Sequence, residues 1–341
     1  MPDMTTPPLA KKPSLLQAGA FQRVLAFSAL IVLFIFFSIA SPKYFPTFSN
    51  ASSIMLATAV TGVLALGVTF VIITGGIDLS VGTIMTFSAV FTALLIGDDQ
   101  HIFSLSGIPI PVGVLGGILA GTVCGLFNGL MVAKMKIPPF IATLGMMYIT
   151  KGLSLVLSNL KPIYFNNSPS FVALAQDSMV GEVFPGFPVP NAVLFFFGAA
   201  IIGWLVLSKT ILGRYNVALG SNEEATRLSG VNTDRWKIAI YTLCGTFAGL
   251  GGVLMAARLN SAQPALGAGY ELDAIAAVVI GGTSLAGGEG TIIGTIIGAF
   301  VKSVLDNGLR INNVPQEIQI VITGLIVIGA VYLDIIRRRR R

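Results

Sequence analysis

The sequence predicts an all-α, polytopic membrane protein of about ten transmembrane helices, and three observations carry that prediction. Of its 341 residues 54% are hydrophobic and only 11% charged, with a mean hydropathy of +0.84, whereas soluble domains carry about a quarter charged residues. Whole stretches of about twenty residues hold no charge, the length at which a helix crosses a bilayer. These runs also lack the alternation of a membrane barrel, so their backbone groups have to be satisfied inside helices.

Residues 1–20 contain Pro2, Pro7, Pro8, Pro13, Lys11 and Lys12. They offer too little apolar area to offset ordering, and read as a disordered cytoplasmic tail. The first span, 21–40, ends in Ser38-Ile39-Ala40, which resembles a signal-peptidase site. Its apolar run exceeds the usual signal-peptide length, so it reads as a retained anchor. Further spans are predicted at 53–73, 79–96, 111–133, 139–157, 191–207, 236–257, 272–285, 291–305 and 317–333. The membrane domain therefore covers 21–336, with a cytoplasmic loop at 209–237 and a basic tail at 337–341. The spans 272–285 and 291–305 are short and separated only by Ala286-Gly287-Gly288-Glu289-Gly290. A re-entrant or broken helix there stands as the alternative to two full crossings.

Orientation follows from the bias of basic residues to the cytoplasmic side. Starting from a cytoplasmic N-terminus, Lys11, Lys12, Arg23, Lys134, Lys136, Lys209, Arg214, Arg227, Arg235, Lys237 and the run Arg337 to Arg341 fall inside. Lys43, Lys161, Arg258 and Arg310 fall outside, and Lys151 and Lys302 lie within spans. Both termini are thus expected in the cytoplasm.

The formal charge of +6 does not point to nucleic acid, because five of the basic residues form that terminal run. A basic tail after an apolar helix orients the helix and touches anionic lipid. Cys124 and Cys244 sit in separate apolar segments and read as small packing residues. His101 beside Asp98 and Asp99 reads as a solvated loop residue, so no metal site is expected. The chain has no phosphate-binding loop, no helical His/Glu metal pair and no Ser-His constellation, so no catalytic residue and no cofactor of its own are expected.

Small residues recur in helical register at Gly117, Gly121, Gly125 and Gly129, at Gly290, Gly294 and Gly298, and at Gly245 with Gly249. Such rows let helices approach closely in lipid. Two glycine-rich breaks look alike: Gly75-Gly76-Ile77-Asp78-Leu79-Ser80 before Gly82-Thr83-Ile84, and Gly281-Gly282-Thr283-Ser284-Leu285-Ala286 before Gly290-Thr291-Ile292. Transporters use interrupted segments because unwound backbone offers polar groups to a substrate. Gly75, Gly76, Asp78, Ser80, Asn128, Asp273, Gly281, Gly282 and Ser284 are therefore candidates for a substrate pathway or gate. For Asp78, a cap of the helix starting at Leu79 is the competing reading. Thr69, Thr74, Thr143 and Thr295 are further candidates for lining, each able instead to bond its own helix.

The most polar inside segment runs from Gly213 to Gly230. It reads as a short helix in which Asn222 caps the start, Glu223 and Glu224 suit the positive end of the dipole, and Gly230 terminates. Ala225 and Leu228 share an exposed face that suits docking to a soluble partner.

Glu224-Ala225-Thr226-Arg227-Leu228-Ser229-Gly230 resembles the Glu-Ala-Ala-x3-Gly coupling loop of ATP-driven importer permeases, with Thr226 in place of the second alanine. Ile73 to Gly82, Gly213 to Gly230, Ser261-Ala262-Gln263-Pro264 and Gly269 to Leu285 are similar to the ribose-type permeases, from about Ser38 to Leu333. The resemblance implies a type II-like permease fold and a homodimer with a second permease copy. It also implies a cytoplasmic tandem-cassette ATPase that binds ATP and Mg, a periplasmic sugar-binding protein, and a place in the bacterial inner membrane. Gly213, Arg214, Asn222, Glu223, Glu224, Ala225, Arg227, Ser229 and Gly230 would form the ATPase-coupling surface. The alternative is an ion-coupled secondary sugar transporter. It would need its own ion site, for which Asp78, Asp273, Asp306 and Lys302 are the intramembrane candidates.

Overall fold

The computed structural model describes residues 15–98 and 108–339. Five long helices come first: α1 (Leu15–Ala40), α2 (Phe48–Ile73), α3 (Val81–Ile96), α4 (Ile110–Ala133) and α5 (Pro139–Leu157). A connecting segment folds into β1 (Ile163–Tyr164), α6 (Pro169–Gln176) and α7 (Met179–Val183). Next come α8 (Asn191–Lys209), α9 (Ile211–Ser221), α10 (Glu223–Leu228) and α11 (Thr233–Leu259). The chain ends with β2 (Ser261–Ala262), α12 (Tyr270–Ile280), α13 (Ile292–Ile311) and α14 (Gln316–Arg339). The two short strands pair antiparallel, Ile163 opposite Ala262, at the end of the bundle where α3 finishes: Asp98 N donates to the Tyr164 carbonyl.

Polar residues set the helix starts, each satisfying an otherwise orphaned amide. Thr47 Oγ1 accepts from Asn50 N at α2, Asn232 Oδ1 from Arg235 N at α11 and Thr291 Oγ1 from Gly294 N at α13. Helix α2 is apolar on every side, and from Thr58 to Ile73 nearly every residue is buried, as expected of a central helix. It is enclosed by α3, α8, α11, α12 and α13.

The glycine rows do the packing predicted for them. Gly121 faces Gly245 and Gly249 across the α4–α11 contact, and Gly125 faces Gly245. Gly294 meets Gly281, and Gly298 meets Ala277, where α12 lies along α13. At these points the backbones touch directly, leaving no room for even a methyl group.

Among the described residues six helices are long and apolar enough to cross a membrane: α2, α4, α5, α8, α11 and α13. Shorter apolar stretches lie at Val24–Ala40, Val81–Ile96 and Gln316–Tyr332. The predicted span 272–285 requires correction, because α12 has only 11 residues. At 1.5 Å per residue it covers about 17 Å, short of the ~30 Å hydrocarbon core. Left-handed glycines bracket it, Gly269 at φ +97° and Gly282 at φ +92°. A run of turns at 264–269 is thus followed by a half-length helix, which is the broken alternative. Boundaries also move: α1 starts at Leu15 rather than Phe21, α2 at Phe48 rather than Ser53, α13 runs on to Ile311, and α14 runs through Arg337 to Arg339. Residues 1–14 of the predicted tail, Asp99 and His101, and Arg340 and Arg341 lie outside the described residues.

Candidate functional site

The two glycine-rich breaks and the polar 213–230 segment, far apart in sequence, meet at one place. Gly288 N donates to the Ile73 carbonyl at 2.8 Å, joining the second break to the end of α2. Gly220, in the last turn of α9, packs against both: a Cβ there would run into the Ile73 carbonyl and lie 2.5 Å from Gly288 N. A Cβ on Gly287 would lie 2.8 Å from Gly75 N and 2.9 Å from the Gly220 carbonyl. Gly75, Gly287 and Gly288 all have positive φ, conformations that only glycine adopts without strain. Three segments therefore contact one another backbone to backbone, the stiffest contact a protein offers.

From this junction the chain passes directly into α10. Thr210 and Gly213 form the tight turn out of α8, with Gly213 against the Leu207 carbonyl, and Arg214 is exposed on α9. Asn222 Oδ1 accepts from Ala225 N at 2.9 Å, the predicted cap. Ser229 Oγ donates to the Ala225 carbonyl, and Gly230 closes the helix at φ +84°. Arg227 bonds both Glu224 oxygens, at 2.7 and 2.8 Å, and those bonds raise the guanidinium pKa further. Lys237 pairs with Glu223 at 2.6 Å, tying α10 to α11. Leu228 stands out 78% exposed, beside a polar depression of about 550 Å³ formed by α10, residues 230–234 and Lys136. The surface is thus an apolar knob in a charged setting, rigidly held.

The candidate pathway residues divide into two groups. Asp78, Ser80 and Asn128 come together in the bundle interior, all fully buried. Asp78 Oδ1 accepts from Ser80 N at 2.9 Å and from Ser80 Oγ at 2.5 Å. Asn128 Nδ2 donates to Ser80 Oγ at 2.8 Å and, more weakly, to Asp78 Oδ2 at 3.4 Å. Gly76 packs under the Tyr241 hydroxyl, so α3, α4 and α11 are pinned together around the first break. Helix α3 begins at Val81 rather than Leu79.

Asp273 lies elsewhere, on α12. It accepts an ion pair from Lys302 Nζ at 2.9 Å, and Asp306 takes the same ammonium at 2.5 Å. Lys302 is 5% exposed, while both carboxylates remain about a third exposed. Three of the four intramembrane ionisable candidates therefore cluster, with Asp78 apart from them. Gly281 is flush against Gly294, Gly282 turns the chain, and Ser284 N bonds the Glu289 carbonyl within the second break. Thr69 bonds Thr295 at 2.6 Å and its own helix at Ala65. Thr74 and Thr143 bond back to Val71 and Pro139, the helix-internal alternative.

Sequence reasoning did not single out Gly220, Gly287 or Gly288 as functional. The available signal was a glycine within the α9 helical pattern, which marks a close backbone approach. The Lys302–Asp306 pair was legible as i,i+4 spacing, whereas Asp273 joins it only in three dimensions. Among the described residues no group of His, Cys, Asp and Glu could hold a metal.

A family model described as the permease component of branched-chain amino acid transport systems matches residues 50–331. The chain belongs to this permease family. A ribose import permease of Escherichia coli (strain K12) is 40% identical over 309 residues, 90% of this chain and 91% of the relative. The ribose import permease of Bacillus subtilis (strain 168) is 40% identical over 317 residues, 93% and 94% of the two chains. A galactose/methyl galactoside import permease of Haemophilus influenzae is 38% identical over 328 residues, 94% and 96%. No solved structure matches. This permease is therefore of the ribose type, and the breaks and the α10 knob lie wholly within the matched region.

Proposed function

We propose that this permease is the membrane-spanning subunit of an ATP-driven importer that conducts a monosaccharide, ribose or a similar sugar, across the bacterial inner membrane as a homodimer. ATP is hydrolysed with Mg on a cytoplasmic tandem-cassette partner that docks on α10. Sugar is delivered by a periplasmic binding protein, and both termini face the cytoplasm. The observation that carries this reading is the continuity of α10, α9 and the glycine junction. An exposed, capped knob outside the bundle is coupled through backbone contacts to both interrupted segments inside it. Interrupted segments are where transporters form their substrate sites, and a soluble motor needs a stiff lever to act on the helices around them. The names of the relatives support a sugar as cargo.

The test is purification of the permease with its co-expressed neighbours, followed by ATPase and sugar uptake in proteoliposomes. ATP hydrolysis stimulated by sugar-loaded binding protein, with uptake dependent on ATP, is the expected result. Uptake by the chain alone, driven by an ion gradient and indifferent to ATP, would establish the secondary-transporter alternative instead. Within the complex, Gly220→Ala should leave the ATPase bound and hydrolysing but deaf to sugar, because the wedge separates α9 from Ile73 and Gly288. Ser221→Ala, which removes only a hydroxyl bonded to Val217, should leave coupling unchanged.

A further inference from the structure

A cleft of about 710 Å³ opens between α4, α8 and α11 at the end of the bundle away from α10. It takes no part in the coupling surface or in the candidate pathway. Its floor is apolar, formed by Ile118, Phe195, Ile202, Leu243 and Leu250, and its mouth carries Asp177 and Glu182 at the ends of α6 and α7. Phe195 and Ile202 are 42% and 58% exposed. On a helix meant for lipid such exposure is ordinary, but here it lines a concave trough rather than a convex flank.

The dimensions select an occupant. From Asn191 at the mouth to Ile202 on the floor, α8 descends about 17 Å, close to the ~15 Å of one leaflet of a ~30 Å hydrocarbon core. Gly198 lies midway along that wall, and a Cβ placed on it meets no atom within 4 Å. The missing side chain therefore deepens the trough and serves no helix contact, unlike Gly121 or Gly298. Among the described residues the lining includes no lysine or arginine. Two carboxylates at the level of the headgroups repel phosphatidylglycerol-type lipids and attract a cationic group.

We infer that this cleft seats one acyl chain of a phospholipid whose headgroup ends in an ammonium, with the ammonium on Asp177 and Glu182. The readout requires neither sugar nor ATP, so the inference stands or falls separately from the transport function.

The test is native mass spectrometry of the full chain, purified in mild detergent and exchanged with equimolar phosphatidylethanolamine and phosphatidylglycerol of identical acyl chains. The wild type should retain phosphatidylethanolamine with about thirtyfold preference, the scale of two surface charges. Gly198→Trp fills the trough and should lose the retained lipid of either kind while keeping its thermal midpoint. Asp177→Asn combined with Glu182→Gln should still retain a lipid, with the preference reduced to near unity. Equal retention of both lipids by the wild type marks an annular lipid only and overturns the inference. So does undiminished retention by Gly198→Trp. Loss of the dimer without loss of lipid in Gly198→Trp would assign the cleft to a second copy of the chain, which likewise overturns it.

Discussion

The α4–α11 contact gives the most direct measure of how this fold is held in a solvent that does not drive apolar helices together. A Cβ on Gly121 would lie 2.5 Å from the Gly245 carbonyl and 2.7 Å from the Gly249 Cα and N. Ordinary carbon–oxygen contact is near 3.4 Å, so Gly121→Ala has to part the helices by close to an ångström or bend one of them. Overpacking of that kind costs about 1–3 kcal/mol, against roughly 1 kcal/mol gained by replacing glycine with alanine in a helix. The net loss should be about 1 kcal/mol, the middle of a range of roughly 0–2 kcal/mol, and Gly121→Leu should not assemble. Gly198→Ala is the matched control. Its Cβ meets nothing, so only the propensity gain remains and the variant should be slightly stabilised. Because Gly121 and Gly245 share one contact, the double alanine variant should lose less than the two single losses combined, the first separation relieving the second. Thermal unfolding of the detergent-solubilised chain, read by size-exclusion profile, gives all four values. Equal midpoints for Gly121→Ala and Gly198→Ala would refute the packing argument outright.

Other consequences are testable in the same preparations. Asp78→Asn should be well tolerated: Oδ1 can still accept from Ser80, and rotating the Asn128 amide offers its unpartnered Oδ1 to the new amide. Asp78→Leu should cost several kcal/mol through the orphaned Ser80 and Asn128 groups, and equal stability of the two variants would contradict this account. Lys302→Met leaves Asp273 and Asp306 unneutralised and should destabilise the chain by about 3 kcal/mol. The triple change adding Asp273→Asn and Asp306→Asn should recover most of that loss, and no recovery would show that the ammonium acts other than as a counter-ion. For orientation, a cysteine at Ser221 should be protected from an impermeant reagent added outside while one at Asn167 reacts; the native Cys124 and Cys244 are both buried. The reverse pattern would invert the topology. Glu224→Lys should leave the permease inserted and dimeric yet no longer co-purifying with its ATPase, and unchanged co-purification would move the docking surface away from α10.

Much of this architecture was legible because lipid simplifies the code. A run of apolar residues has to be a helix, and Gly117 to Gly129 at four-residue spacing has to be a contact face. What was not legible came from places where that code is locally suspended. Helix α12 reads as a span, with a broken helix as the alternative, because residues 274–280 are continuously apolar and only the flanking Asp273 and glycines argue against a full crossing. Its true end at Ile280 is set by Gly281 and Gly282, whose positive-φ turn and close fit to Gly294 are tertiary facts. Helix α9 was absorbed into a polar loop because Gly213 and Gly220 masked its period. Those glycines serve a turn and a backbone contact, not flexibility. The site divided in the same manner. The capped α10 was readable from Asn222, Glu223 and Gly230, since capping is local. The meeting of Ile73, Gly220 and Gly288 was not, because nothing in a single sequence pairs residues so far apart.

That meeting bears on how force could travel. A lever made of side-chain contacts yields, because rotamers shift before backbones do; a junction without side chains has no such slack. Gly220 touches Ile73 and Gly288 through main-chain atoms alone, and Gly288 is itself hydrogen-bonded to Ile73. A displacement of α10 therefore reaches the end of α2 and the second break together. From that break it passes to α12, a half-length helix between left-handed glycines. Its one ionic tie to α13 is Asp273 to Lys302 among the described residues. The element best placed to move is thus the one connected most stiffly to the surface where a motor would push. On the same logic the Asp78–Ser80–Asn128 cluster, which pins α3 and α4 together, would be the fixed frame for any movement of α12.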